Sequence, residues 1–163
     1  MNATQELIKA LQTIPWYQQF SEKHFDKLAG ISKLVEIDAG SYLFREGDHE
    51  DFLYVLLGGR LAIEIYGPTQ GKIPIYTAEP MDVVGWSSVT PVVRQRTAGA
   101  RAVFNSRLVA TDAAALRQLC EEDYELGYHV MRRMANVVAG RLMVTRLQLL
   151  NLITHPNQWE SNE

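Results

Sequence analysis

Between Leu34 and Tyr76 the chain runs through five short segments rich in β-branched and aromatic residues. They are Leu34–Ile37, Tyr42–Arg45, Phe52–Leu57, Arg60–Tyr66 and Lys72–Tyr76. Each is closed by turn chemistry: Asp38-Ala39-Gly40-Ser41, Glu46-Gly47-Asp48, Gly58-Gly59 and Gly67-Pro68-Thr69-Gln70-Gly71. Regular short strands at this spacing predict a β-sandwich or barrel-like roll. Phe52–Leu57 has no polar alternation and is expected to be covered, whereas Leu61, Ile63 and Ile65 alternate with Ala62, Glu64 and Tyr66 as in a half-exposed strand. Ala100–Phe104 and Arg107–Thr111, separated by Asn105-Ser106, carry a hairpin signal.

Helical patterns flank this β region. Residues 3–29 place Leu7, Ile8 and Leu11 on one face, break at Pro15, and resume with Trp16, Phe20, Phe25 and Leu28; Thr4 and Ser21 are the expected helix starts. Asp112 caps a short helix, and the Glu121-Glu122-Asp123 cluster marks the start of a much longer one. Along that helix Tyr124, Tyr128, Met131, Ala135, Val138, Leu142, Thr145, Leu149 and Leu152 alternate spacings of four and three, the seam of a coiled coil. Val130, Met134, Val137, Met143, Val144, Leu147 and Leu150 lie off the seam, so one face is expected on the roll and another, over Met131 to Leu152, on the matching helix of a parallel homodimer. The expected divisions are helices over 1–33, a roll over 34–111, helices over 112–153 and a tail over 154–163.

One segment between strands carries chemistry. Gly85-Trp86-Ser87-Ser88 supplies a glycine and small hydroxyl residues whose amides approach a ligand closely, and Arg96-Thr97 follows eleven residues after the glycine with a guanidinium fork. A short helical turn opening on Gly85, together with Arg96, suits a small anion such as a phosphate. Arg94 and Arg96 also fit a solvated strand end.

Other classes of function are disfavoured. At 163 residues with 47% hydrophobic and 21% charged side chains, the chain fits one domain. A formal charge of −3 with scattered Lys and Arg gives no electrostatic footprint for DNA. The single cysteine, Cys120, excludes an internal disulfide and reads as a core thiol. His24, His49, His129 and His155 lack the spacing of a metal site, and no nucleophile elbow, P-loop or dinucleotide fingerprint occurs, so no catalytic constellation and no cofactor is expected. Met1 to Lys9 does not read as a secretion signal and no uninterrupted apolar run has membrane length; the expectation is a cytoplasmic protein that does not enter a membrane.

Asp38 to Asp48, Phe52 to Leu61 and Gly85 to Ala98, in this order and spacing, resemble cyclic-nucleotide-binding domains of the catabolite activator type. The resemblance extends from about Phe20 to Leu152. It implies an eight-stranded jelly-roll, or double-stranded β-helix, with N-terminal helices and a long C-terminal dimer helix. It also implies that residues 85–98 form a phosphate-binding cassette in which Arg96 pairs with a cyclic phosphate and Thr97 adds a hydroxyl. Arg141-Leu142-Met143-Val144-Thr145 is similar to the helix segment whose threonine reaches the ligand's base; a bond from Thr145 to its own helix backbone is the alternative. The family's cassette usually has a glutamate after the glycine, accepting from the ribose, where this chain has Trp86, and a second small hydroxyl residue where this chain has Arg146. An indole at that position plugs the pocket, stacks on a different planar anion, or swings out and leaves weakened nucleotide binding; Ser87 and Ser88 are candidate replacement acceptors. In the activator a DNA-reading domain follows the dimer helix. Here a polar tail follows, so the expectation is either a stand-alone sensor acting on another protein, a closed interaction scaffold, or part of a longer regulator, with no DNA binding by this chain itself.

Overall fold

The computed structural model describes residues 2–49, 51–90 and 92–156. Helices α1 (Ala3–Gln12) and α2 (Glu22–Gly30) lead into strands β1 (Ser32–Ile37), β2 (Tyr42–Phe44), β3 (Phe52–Gly58), β4 (Leu61–Gly67), β5 (Gly71–Ala78), β6 (Val83–Val84), β7 (Gly99–Ala102) and β8 (Ser106–Asp112). Helices α3 (Ala113–Glu122) and α4 (Tyr124–Thr154) complete the fold. The strands form two four-stranded antiparallel sheets, in the orders β1-β8-β3-β6 and β2-β7-β4-β5, which is the expected mainly-β roll with flanking helices.

The central strands of the first sheet, β3 and β8, are buried on both faces. Tyr54 and Leu56 of β3, with Leu108 and Ala110 of β8, point between the sheets and pack with Leu61, Ala78 and Ala100. Leu53, Val55 and Val109 point the other way, onto Leu11, Leu28, Leu116, Leu126 and Val130 of the helices. Side chains alternate across a strand, so a strand covered on both sides must be apolar throughout, which is why β3 shows no polar alternation.

Three local expectations are corrected. Residues 99–102 and 106–112 do not form a hairpin: β7 pairs with β2 and β4, whereas β8 pairs with β1 and β3. The turn itself is real, with Ser106 Oγ donating to Phe104 O at 2.7 Å and Asn105 Oδ1 accepting from Ala39 N at 2.9 Å, but it carries the chain from one sheet to the other. On β4, Glu64 is only 7% exposed while Ile63 and Ile65 are half-buried. The β4–β5 register shifts between Ile63 and Glu64, opposite Pro74 of the edge strand β5, and Glu64 Oε1 accepts from Arg101 Nε at 2.7 Å. Helix α1 starts two residues earlier than Thr4 predicts: Asn2 is its cap, accepting from Gln5 N at 2.8 Å while Gln5 Oε1 accepts from Asn2 N. Ser21, Asp112 and Asp123 cap α2, α3 and α4 as the sequence indicates.

Helix α4 has 31 residues. Leu126, Val130 and Met134 are buried against the domain, and Val137 and Val144 are half-buried on the same side. Met143, Leu147 and Leu150, expected to share off-seam packing, are instead 66%, 62% and 56% exposed, because they lie on the side of the helix turned from the roll. The seam is also bare, with Tyr128, Leu142 and Leu149 exposed. Although arginines interrupt it, α4 is long and apolar enough by length and composition to cross a membrane, which a search for uninterrupted runs misses. The helix continues through Thr154, so the expected tail is shortened, and residues 157–163 of it lie outside the described residues.

Candidate functional site

Strand β6 ends at Val84, and Gly85 turns the chain with φ +75°, a left-handed conformation that glycine adopts without steric cost. A tight turn over Trp86–Val89 follows. Ser88 Oγ donates to Gly85 O at 2.7 Å and Thr90 Oγ1 to Ser87 O at 2.8 Å, so hydroxyl groups of the segment satisfy its own carbonyls. Helix α3 pins the turn through Arg117, whose Nη1 donates to Ser88 O at 2.5 Å.

The far end of the segment is held by backbone bonds to the β2–β3 turn: Arg96 N donates to Asp48 O and Gly47 N to Arg96 O, both at 2.8 Å. This places the Arg96 side chain back against Gly85. Its Nη1 donates to Gly85 O at 3.2 Å and its Nη2 to Phe52 O at 2.5 Å. The guanidinium lies 4.2 Å from the Phe44 ring centroid and 5.9 Å from that of Tyr54, and the residue is 3% exposed. Burial raises the Tyr54 phenol above its ordinary range, with the Arg96 charge opposing that shift and Asp51 reinforcing it. Arg96 thus ties both ends of the cassette to β3.

A cavity of about 70 Å³ opens between the cassette and α4, with walls that include Phe44, Val84, Gly85, Trp86, Arg96 and Arg141. Ser87 and Thr97 also line it. Small-molecule pockets are typically about 300–1,000 Å³, so this one holds a small ion or a few waters without rearrangement. Trp86 is half-buried, and its indole packs against the helix-side core as well as bordering the cavity, so it is not swung out into solvent.

Five residues singled out by the sequence, Gly85, Trp86, Ser87, Arg96 and Thr97, therefore meet at one cavity. Ser88 is 2% exposed and bonds within its own turn. Thr145 is exposed, and its Oγ1 donates to Arg141 O at 2.9 Å; within one chain it does not border the cavity. The residue that does so from α4 is Arg141. Its guanidinium lies 3.2 Å from the Tyr76 ring centroid, and its Nη2 reaches Val83 O at 3.5 Å. Tyr76 in turn donates to Asp82 Oδ2 at 2.8 Å; burial raises its phenol, the hydrogen bond from Arg141 lowers it and the bond to Asp82 raises it. Arg141 sits seven residues after Met134, on the roll-facing side of the helix, and that spacing is the signal in the sequence that identifies it.

Comparison with known proteins agrees with this fold. A regulator from Mycobacterium tuberculosis described as a CRP-like cAMP-activated global transcriptional regulator is 29% identical over 119 residues, 73% of this chain and 51% of that protein. The chain therefore spans about half the length of that curated relative. Among solved structures, a cyclic nucleotide-binding domain from Methylobacillus flagellatus superposes with a TM-score of 0.74 at 21% identity, over 90% of this chain and 82% of that one. The sensor domain of the transcriptional regulator DNR from Pseudomonas aeruginosa superposes with a TM-score of 0.70 at 22% identity, over 87% and 95% respectively. Residues 34–123 match the sequence profile of the cyclic nucleotide-binding domain, and with the roll and cassette in place, the chain belongs to that family.

Proposed function

We propose that this domain is a cytoplasmic, non-catalytic sensor that takes a small anionic ligand, a cyclic nucleotide or a relative, and reports its occupancy through α4 to a second copy of the chain. The observation that carries this reading is the cavity itself: its walls are the cassette on one side and Arg141 of the long helix on the other. A ligand held by Arg96, Thr97 and the Gly85–Ser88 segment would then touch the helix directly, and any differential contact biases helix position.

Occupancy and rearrangement are coupled by the bonds Arg96 already makes. A phosphate that takes over the hydrogens now given to Gly85 O and Phe52 O replaces two bonds, each worth about 1.5–3 kcal/mol for a charged donor, with bidentate bonds of at least that strength. The second copy of the chain fits because the seam is self-complementary: the four-three spacing persists from Tyr124 to Leu152 on a face the roll leaves uncovered. The similarity to a regulator named for cAMP activation supports the ligand class, and a protein partner downstream completes the signalling role.

The test is titration with cyclic AMP and cyclic GMP, followed by calorimetry and tryptophan fluorescence. Saturable heat that disappears in Arg96→Ala, with the dimer retained in sedimentation and lost in Leu142→Lys, is the expected result. A second reading, a ligand-free dimerisation scaffold, is favoured by the 70 Å³ cavity and the inward indole. It predicts no heat from wild type and a newly created nucleotide affinity in Trp86→Glu.

A further inference from the structure

Helix α4 keeps one face bare even with a second copy on its seam. With Leu142 and Leu149 at the first core position of the heptad and Val138 and Thr145 at the second, Gly140 and Leu147 fall at position f and Met143 and Leu150 at position b. Those positions point away from the partner in a two-stranded coil. They also point away from the roll, and Met143, Leu147 and Leu150 are 66%, 62% and 56% exposed in the single chain. Their spacing with Gly140 is three, four and three, that of a helix-packing row. Single exposed apolar side chains need no explanation, but a contiguous row marks a contact surface.

Gly140 is an independent sign of one. It lies inside a 31-residue helix, where glycine is less favourable than alanine, and nothing lies within 4 Å of a Cβ placed on it. No contact within the chain therefore accounts for the missing side chain, whereas the close approach of another backbone does. Charge narrows the occupant. Over residues 126–156 the sequence holds four arginines and no carboxylate. Arg133 and Arg141 are turned to the domain, 6.0 Å from the Trp16 ring centroid and 3.2 Å from that of Tyr76. Arg132 and Arg146, fourteen residues or two heptads apart, flank the bare face. Both are exposed, and neither joins an ion pair among the described residues. A second copy of α4 laid here would set arginines against arginines. Crossing a bilayer would pull Arg133 and Arg141 off their aromatic partners into hydrocarbon, and a fluid lipid surface gives no reason for a glycine.

We propose that the face over 140–150 docks an acidic amphipathic helix of another protein. Apolar side chains of that helix pack on Met143, Leu147 and Leu150, its backbone passes Gly140, and carboxylates on its flank meet Arg132 and Arg146. Spanning both arginines takes about 21 Å, or four turns. The inference rests on the sensor reading only in making this helix the receiver of the signal; the face itself is present in one chain, without ligand and without the seam.

Fluorescence anisotropy on the full chain tests it. The probe is a labelled helical peptide of about six turns, with alanine and leucine on one face and glutamate on its flanks, set against the same peptide with lysine for glutamate. The glutamate peptide is expected to bind roughly tenfold more tightly than the lysine one, and Arg132→Glu combined with Arg146→Glu to reverse that preference. Leu147→Gln should weaken the glutamate peptide roughly tenfold. Gly140→Leu should weaken it as much while raising the thermal midpoint, because helix propensity improves where no contact inside the chain is lost. Leu142→Lys, which spoils the seam, should leave it bound. Peptide lost in Leu142→Lys but kept in Leu147→Gln sits on the seam and overturns the inference. Equal affinity for the two peptides removes the charge argument, and wild-type affinity in Gly140→Leu removes the close approach; either result sinks the docked helix. A protein that ignores both peptides also sinks it, and sedimentation with phosphatidylglycerol vesicles, abolished by Leu147→Gln, would then give the face to a membrane. Absence of nucleotide heat with these preferences intact refutes the sensor and leaves the docking face standing.

Discussion

Replacing Gly85 by alanine tests whether the cassette is held in place by its own arginine. The substitution meets two penalties. A backbone at φ +75° costs an L-residue about 1–2 kcal/mol. The new Cβ would also fall inside contact distance of Arg96 Nη1 and 3.3 Å from Phe52 O, the two groups that join cassette to β3. The guanidinium cannot yield freely, because it is stacked on Phe44 and bonded to two carbonyls, so losing the Gly85 bond costs about 1.5–3 kcal/mol more. The expected loss is about 2.5–5 kcal/mol in urea unfolding at constant m. Gly40→Ala supplies the control: its φ is +86° but nothing lies within 4 Å of the added Cβ, so only the backbone cost of about 1–2 kcal/mol applies. Equal losses in the two variants would refute the claim that Arg96 staples the cassette, whatever their size.

Two further outcomes follow from groups outside the cavity. The Asp123 carboxyl is held below its ordinary range, first by the hydrogen bond from Lys27 Nζ at 2.6 Å and then by the Leu126 amide, so its contribution to stability is present above the ordinary carboxylate range and is lost as pH falls through the lowered one. Lys27→Met should flatten the acid side of a stability-against-pH curve, and an unchanged curve would show the pair to be idle. Burial, followed by the charges of Glu121 and Asp123, pushes the Cys120 thiol up to about 11, so its reaction with an aromatic disulfide reagent at pH 8 should run roughly ten- to a hundredfold slower than that of free cysteine. A rate equal to free cysteine would place the thiol in solvent.

The parts of this fold that were legible in the sequence are those set by local chemistry. The strand runs, the capping residues Ser21, Asp112 and Asp123, and the glycine-to-arginine segment each depend on neighbours a few residues away. Features that depend on distant partners were not legible. β6 is a two-residue strand defined only by its pairing with Tyr54 and Val55, so Val83-Val84 carries no periodic signal. Asn105-Ser106 marks a reversal correctly, yet turn chemistry does not say which strands the flanking segments will join, and in a roll they join different sheets. Glu64 looked solvent-facing because its shift in register comes from Pro74 and its charge is met by Arg101, both remote in sequence. At the site, Thr145 drew attention through resemblance, while Arg141 becomes visible only when the helix is rotated onto the roll through Leu126, Val130 and Met134.

The same geometry limits how strong a switch α4 can be. A ligand shifts a helix equilibrium only by the contacts that differ between the two positions. Those that border the cavity are the stacking of Arg141 on Tyr76 and its 3.5 Å reach to Val83 O; the bond from Gln148 Nε2 to Ile75 O, at 2.8 Å, lies away from it. A cation–π contact of about 0.5–2 kcal/mol plus one long hydrogen bond amounts to about 1–3 kcal/mol per chain, a bias of roughly 5–150-fold. Moving a population from 1:99 to 99:1 needs about 5.5 kcal/mol, which one site of this kind does not reach. Two sites acting on one pair of helices about double the bias, to roughly 2–6 kcal/mol, and only at the upper end does that suffice. Under the proposed sensor reading, a full switch therefore requires both cavities of a dimer to act on the same helix pair.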